Sequence, residues 1–292
     1  MGSAILSKKA KVESKYCVGT KDTDPTPTPP LQGRGDISNE DNYYIITLIL
    51  RQKEMTEERL YELIQEKEQR VSIAMPKTMR KVYLWMTLAL CITGLTAWIV
   101  ADTGIWYTIA SNRLLFWGII IAELGLVFGI SAAINKLSVP VATLLFALYS
   151  VVNGLTMASI FLVYDIRSIA AVFFITAGMF AVMAIIGAVL KLDLSKMGPV
   201  LIMGVVGLII ASLVNIFFIK SGLMDLVVSW IGVIIFAGLT IYDTQRIKRM
   251  LMEADYPEST TQKIALMGAL SLYLDFINMF MYLLRIFGGS RD

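Results

Sequence analysis

A chain of 292 residues that is 56% hydrophobic and 17% charged, with a mean hydropathy of +0.67, lies outside the balance of a soluble globular domain; lipid must be much of its solvent. The net charge of +3 is too small, and the basic residues too scattered, for a nucleic-acid surface. Histidine is absent, which removes the commonest general base, zinc ligand and near-neutral proton sensor and leaves any chemistry to carboxylates. Cys17, in a polar stretch, and Cys91, in an apolar one, make no disulfide framework.

In chain order, residues 1–53 read as a disordered, polar and proline-rich tail without the pattern of a cleavable signal. Their lack of periodicity also allows translation to begin at Met55. Residues 54–76 read as a cytoplasmic amphipathic helix, in which Glu57, Glu58 and Glu62 mix with Arg59, Lys67 and Arg70. Residues 77–292 form a seven-span transmembrane domain, so the fold class is an all-α polytopic membrane protein. About 20 residues at 1.5 Å rise cross a hydrocarbon core of roughly 30 Å, and the apolar runs place spans at 82–101, 114–134, 140–163, 168–190, 199–219, 226–243 and 264–286. Apart from residues 244–263 the connections are short. No soluble catalytic domain fits between them, so function must lie inside the bundle and no enzyme is expected.

Lys77, Arg80, Lys81, Lys136, Lys191, Lys196, Arg246, Lys248, Arg249 and Lys263 fall on one side of these spans, against Arg113, Arg167, Lys220, Arg285 and Arg291 on the other. The positive-inside bias puts the N-terminus in the cytosol and, with seven spans, the C-terminus outside. Trp106 and Tyr107 suit an outer interfacial belt, and Gly94, Gly118, Gly125, Gly129, Gly187, Gly204, Gly207 and Gly238 are small residues of the kind that let helices approach.

Carboxylates in hydrocarbon cost several kcal/mol unless paired, protonated or facing water. Three need a reason: Glu123 near the centre of span 2, Asp243 at the end of span 6 and Asp275 inside span 7. Each can be plain helix-to-helix glue or functional. At 100° per residue, Ser271, Asp275, Asn278, Tyr282 and Arg285 fall within about 80° of one another, a polar stripe that a lipid-facing helix would not carry. Span 7 is therefore expected to be central, with the stripe turned to a cavity or to polar groups of its neighbours. Asn278 also reads as a hydrogen-bonding strut, Arg285 as a snorkelling anchor, and Arg246 as a salt-bridge partner of Asp243. Counting along the helices puts Asp243 near the cytosolic interface and Asp275 about 18 Å beyond Lys263, so tilt or a deep start of span 7 must close the gap.

Phe236-Ala237-Gly238-Leu239-Thr240-Ile241-Tyr242-Asp243-Thr244-Gln245, followed by Ala269-Leu270-Ser271-Leu272-Tyr273-Leu274-Asp275-Phe276-Ile277-Asn278, resembles the paired C-terminal signature of the Bax-inhibitor family. The resemblance extends over about residues 75–288, includes Met79-Arg80-Lys81-Val82-Tyr83 at the start of span 1, and is closest in loop length to bacterial members. It implies six spans around a central seventh. It also implies a pH-sensitive calcium leak in a bacterial cytoplasmic membrane, with Asp243 and Asp275 as a hydrogen-bonded dyad that serves as ion pathway, pH sensor and transient calcium ligand. Two carboxylates brought together share a proton, and their titration belongs to the pair. Glu123, Asn278 and Arg246 are supporting pathway candidates. Some members are described with a basic residue that engages the dyad from the cytosolic end of span 2; Lys136 is the nearest here, and an arginine clasp is not evident. No resident cofactor is implied; calcium is the permeant species and the bilayer the main partner.

An intramembrane aspartyl protease also carries Tyr-Asp on one span and Asp on the next, but here Leu272-Tyr273-Leu274 stands where Gly-x-Gly is required and no Pro-Ala-Leu follows. Zinc-dependent seven-span hydrolases and Ser-His proteases are excluded by the missing histidines. The rival from another class is a membrane-embedded modulator of a membrane-bound protease or stress response, acting without ion conduction and docking through residues 54–70 and the cytosolic loops. A proton-coupled carrier for a small solute is a further alternative.

Overall fold

A computed structural model of the chain describes residues 39–190, 194–253 and 258–289. The chain divides into a small unit ending at Tyr61 and a large one from Glu62. The described part of the small unit belongs to a helix, Asn39–Asp102, that runs without a break through Pro76. The separate cytoplasmic helix expected at 54–76 is thus the middle of a longer one. Its start at Asn39 lies inside the stretch expected to be unstructured. The run at 43–50 is apolar on every face except Thr47, and a helix without a polar side gives no periodic signal in sequence. The rest of the expected tail lies outside the described residues.

Seven helices are long and apolar enough to cross a bilayer: Met75–Asp102, Arg113–Ala133, Val139–Val163, Ile166–Val189, Met197–Ile219, Gly222–Met252 and Ser259–Phe287, spans 1 to 7 below. Among the described residues there is no strand. Span ends are set by local chemistry. The Asn112 side chain accepts from the backbone N–H of Leu114 and Leu115 at 3.1 and 3.2 Å, capping span 2, and Asp165 caps span 4 by accepting from Arg167 N–H at 3.0 Å. Span 5 finishes in a π-helical turn, Asn215–Ile219.

The long link expected at 244–263 is mostly helix. Span 6 continues to Glu253 and the helix of span 7 begins at Glu258. Ile247, Leu251, Ala265 and Leu266 are almost fully buried, which explains why the helical spacing persists between the charged residues there. Side chains of this segment cap the end of span 4: Lys248 Nζ donates to the Ala188 carbonyl at 2.9 Å and Gln245 Nε2 to that of Leu190 at 3.1 Å.

Span 7 is the most buried, with 67% of its most apolar stretch inside, against 6% in span 2 and 11% in span 5. It packs on spans 3, 4 and 6. Spans 2 and 5 present Phe128, Ile121, Met203 and Phe217 outward, as lipid-facing helices do.

Glycines decide how closely some of these helices meet. A Cβ at Gly187 would stand 2.6 Å from the Ile241 carbonyl oxygen, so spans 4 and 6 touch backbone to backbone. Gly204 and Gly238 also face neighbouring side chains, whereas Gly94, Gly118, Gly125, Gly129 and Gly207 would meet nothing within 4 Å. For those five the expected role in close packing is not the one the structure gives them. Gly154, Gly198, Gly232 and Gly268, which did not stand out in sequence, sit in tight contacts instead. Gly187→Ala is expected to destabilise the protein by about 1–3 kcal/mol through overpacking. Gly118→Ala should be neutral or slightly stabilising, since alanine favours an uncrowded helix. Thermal unfolding in detergent micelles separates the two.

Candidate functional site

Spans 6 and 7 form an antiparallel pair whose register is fixed by three contacts. Gly268 lies against Ile247 and Gly232 against the Tyr282 ring, and between them Ser271 is the polar neighbour of Asp243. Asp275 is one turn further along span 7 than Ser271, so it stands about 6 Å along the axis from the level of Asp243. This answers the gap left by counting residues. Span 7 starts well below the level of Asp243, because both helices run on towards the Lys/Arg-rich end.

Asp275 is 4% exposed and Asp243 9%. The two carboxylates are within electrostatic reach of each other, and Arg246 acts on Asp243 from one turn along span 6. Oδ2 of Asp275 is buried and makes no hydrogen bond with the protein. An uncompensated carboxylate oxygen in such a place requires a proton, a water or a cation.

Tyr282 and Arg285 of the polar stripe face span 6. Tyr282 stacks at a tilt on Phe236, with ring centres 5.9 Å apart. Arg285 pairs with Asp225 at 3.7 Å and lies 5.4 Å from the Tyr282 ring centre. Asn278 donates to the Leu274 carbonyl of its own helix at 2.8 Å. Lys136 is exposed in the turn after span 2. The contact that the structure does give to this turn comes from Lys263, whose Nζ donates to the Asn135 carbonyl at 2.9 Å.

Glu123 belongs to a second polar centre. Its Oε1 accepts from Asn153 Nδ2 at 2.5 Å and its Oε2 from the Thr156 hydroxyl at 3.2 Å. Asn153 Oδ1 accepts from the Tyr273 hydroxyl at 3.0 Å, and that hydroxyl accepts from Thr93 Oγ1 at 2.7 Å, with the Ser150 carbonyl 2.9 Å from Thr93 Oγ1 as the alternative acceptor of the same proton. Spans 1, 2, 3 and 7 are thereby joined through one chain of hydrogen bonds. Tyr273 is wholly buried, edge-on to Phe146 and Tyr149. It is two residues from Asp275, about 200° around the helix, so span 7 carries one polar contact on each side. Asn153, Thr156, Thr93 and Asp225 did not stand out in sequence; an asparagine within an apolar span was the one available signal for this centre.

These features define a class: an integral membrane protein of seven helical spans, with three carboxylates inside the bundle and a buried hairpin of spans 6 and 7. The chain belongs to the Bax-inhibitor family. Residues 75–292 match the family described as inhibitor of apoptosis-promoting Bax1. It is similar to the inner membrane protein YbhL of Escherichia coli K12, 48% identical over 215 residues, covering 73% of this chain and 92% of that one. It is also similar to an uncharacterized protein of Borreliella burgdorferi, 43% identical over 234 residues, covering 80% of this chain and all of the relative. A third relative, from Rickettsia prowazekii, is 38% identical over 214 residues, covering 73% of this chain and 90% of its own length.

Tyr273→Phe deletes the hydroxyl that links Asn153 to Thr93 and leaves buried polar groups short of a partner. The expected cost is about 1–3 kcal/mol. Asn278→Ala removes only a bond within one helical turn and should cost less. Comparison of unfolding midpoints in the same detergent tests the ranking.

Proposed function

We propose that the protein is a pH-sensitive calcium leak, gated where Asp243 and Asp275 share a proton, without catalytic turnover. The observation that carries this reading is the buried Asp275 oxygen without a protein hydrogen bond, one helical turn from a second buried carboxylate. When the pair holds a proton, that proton satisfies the bare oxygen and latches span 7 to span 6. When the proton leaves, like charges repel in a medium of low dielectric, and hard oxygen ligands are offered to a divalent cation.

The heavy burial of span 7 supports its role as the element around which the others are arranged. The excess of lysine and arginine at the end of Arg246 and Lys263 supports an N-terminus in the cytosol and a C-terminus outside. Relatives named as inner membrane proteins support a bacterial cytoplasmic membrane.

The test is calcium flux into liposomes that hold a calcium-sensitive dye, from about pH 5 to 8, the interval a paired carboxylate reaches. Deprotonation opens the latch, so flux should rise with pH. Asp243→Asn and Asp275→Asn should each flatten that rise. Deletion of residues 1–70 should leave the flux intact. Folded protein that gives no flux above empty liposomes at any pH would overturn the leak and favour the modulator of a membrane protease.

A further inference from the structure

A cavity of about 430 Å³ opens between spans 1, 3, 4 and 7, walled among others by Leu90, Gly94, Phe161, Phe173, Ile277 and Phe280 and by no charged side chain. Its wall on span 1 runs from Thr87 to Ala97, about 15 Å at 1.5 Å per residue, which is one leaflet of a roughly 30 Å hydrocarbon core. A Cβ on Gly94 would meet nothing within 4 Å, so the glycine leaves the groove open rather than packing a helix.

Towards the end of the bundle that carries the C-terminus, the groove meets a second cavity of about 570 Å³, and the two share Phe161 and Ile166 as walls. The second has a different character: Asp102 and Asp165 line it beside Trp98 and Tyr107. Asp165 uses Oδ2 to cap span 4 and keeps its other oxygen free of that bond. Arg167 is exposed and does not line the cleft. An apolar slot one leaflet deep therefore ends at interfacial depth in two carboxylates and two amphipathic rings.

We propose that this composite groove binds a phospholipid with a primary ammonium headgroup, taken from the leaflet at the C-terminal end, with an acyl chain in the slot and the ammonium at Asp102 and Asp165. At that depth and facing the bilayer, the material that fills an apolar slot is an acyl chain. The sign of the mouth selects the headgroup: an anionic lipid would bring like charge to both aspartates, whereas an ammonium finds opposite charge and ring faces together. The site is separate from the Asp243 and Asp275 pair, and its test is independent of ion flux.

The test is native mass spectrometry of the full chain in detergent, titrated with phosphatidylethanolamine and with phosphatidylglycerol of the same acyl composition. Phosphatidylethanolamine should bind several-fold more tightly. Asp102→Asn combined with Asp165→Asn, which keeps an effective helix cap, should lower that preference about threefold or more, the scale of exposed charge pairs. Gly94→Phe fills the slot and should weaken both lipids; if it does not fold, Gly94→Leu serves. Equal affinity for the two lipids in the unaltered protein would overturn the proposal. So would a preference that survives the double substitution.

Discussion

Spans 6 and 7 can lie side by side along most of their length because glycine stands where each would otherwise hold the other away. Gly268 admits Ile247, and Gly232 admits the ring of Tyr282. That closeness is what sets the register, and the register is what brings Ser271 to Asp243 and Asp275 to within a turn of it. In a bilayer there is no hydrophobic drive between helices, so the fit of these surfaces has to supply the association, and the polar groups inside have to be satisfied by what the fit delivers. Lys248 and Gln245 extend the same constraint to span 4 by capping its last carbonyls.

The three membrane carboxylates are treated differently by that packing. Glu123 lies on the least buried span, yet both of its oxygens accept hydrogen bonds from span 3. Asp275 lies on the most buried span, and one of its oxygens accepts none from the protein. A satisfied acid holds helices together and asks for nothing more. An unsatisfied one keeps a demand that only a proton, a water or a cation meets. Hence the unmet demand falls on span 7, although Glu123 is the carboxylate nearest the middle of its apolar run.

The seven spans were legible because bilayer thickness imposes a length on apolar runs, and the family was legible in the residues around Asp243 and Asp275. The relative levels of the two aspartates were not: counting along the helices left Asp275 far beyond Asp243, because the helices of spans 6 and 7 run on past Arg246 and Lys263, where Lys248 bonds span 4 and Arg249 bonds Ser195. The partners of Glu123 were hidden for another reason. A helical wheel assigns a face to Asn153, Thr93 or Tyr273, but it does not say which helix that face will meet. The glycines show the same limit: smallness is visible in sequence, whereas Gly187 against the Ile241 carbonyl and Gly118 against open space differ only in their neighbours.

Tyr273 and Asp275 leave span 7 in nearly opposite directions, one tied to spans 1, 2 and 3 and the other facing span 6. Turning span 7 about its axis to uncover Asp275 would tear Tyr273 from Asn153 and Thr93. Moving span 6 aside breaks none of those bonds. Span 6, however, is fastened to span 4 through Gly187, Gln245 and Lys248. Spans 4 and 6 are thus tied to each other as well as to span 7, on which Phe173 and Phe180 of span 4 pack through Phe276, and the unsatisfied oxygen lies on the side of span 7 that faces span 6.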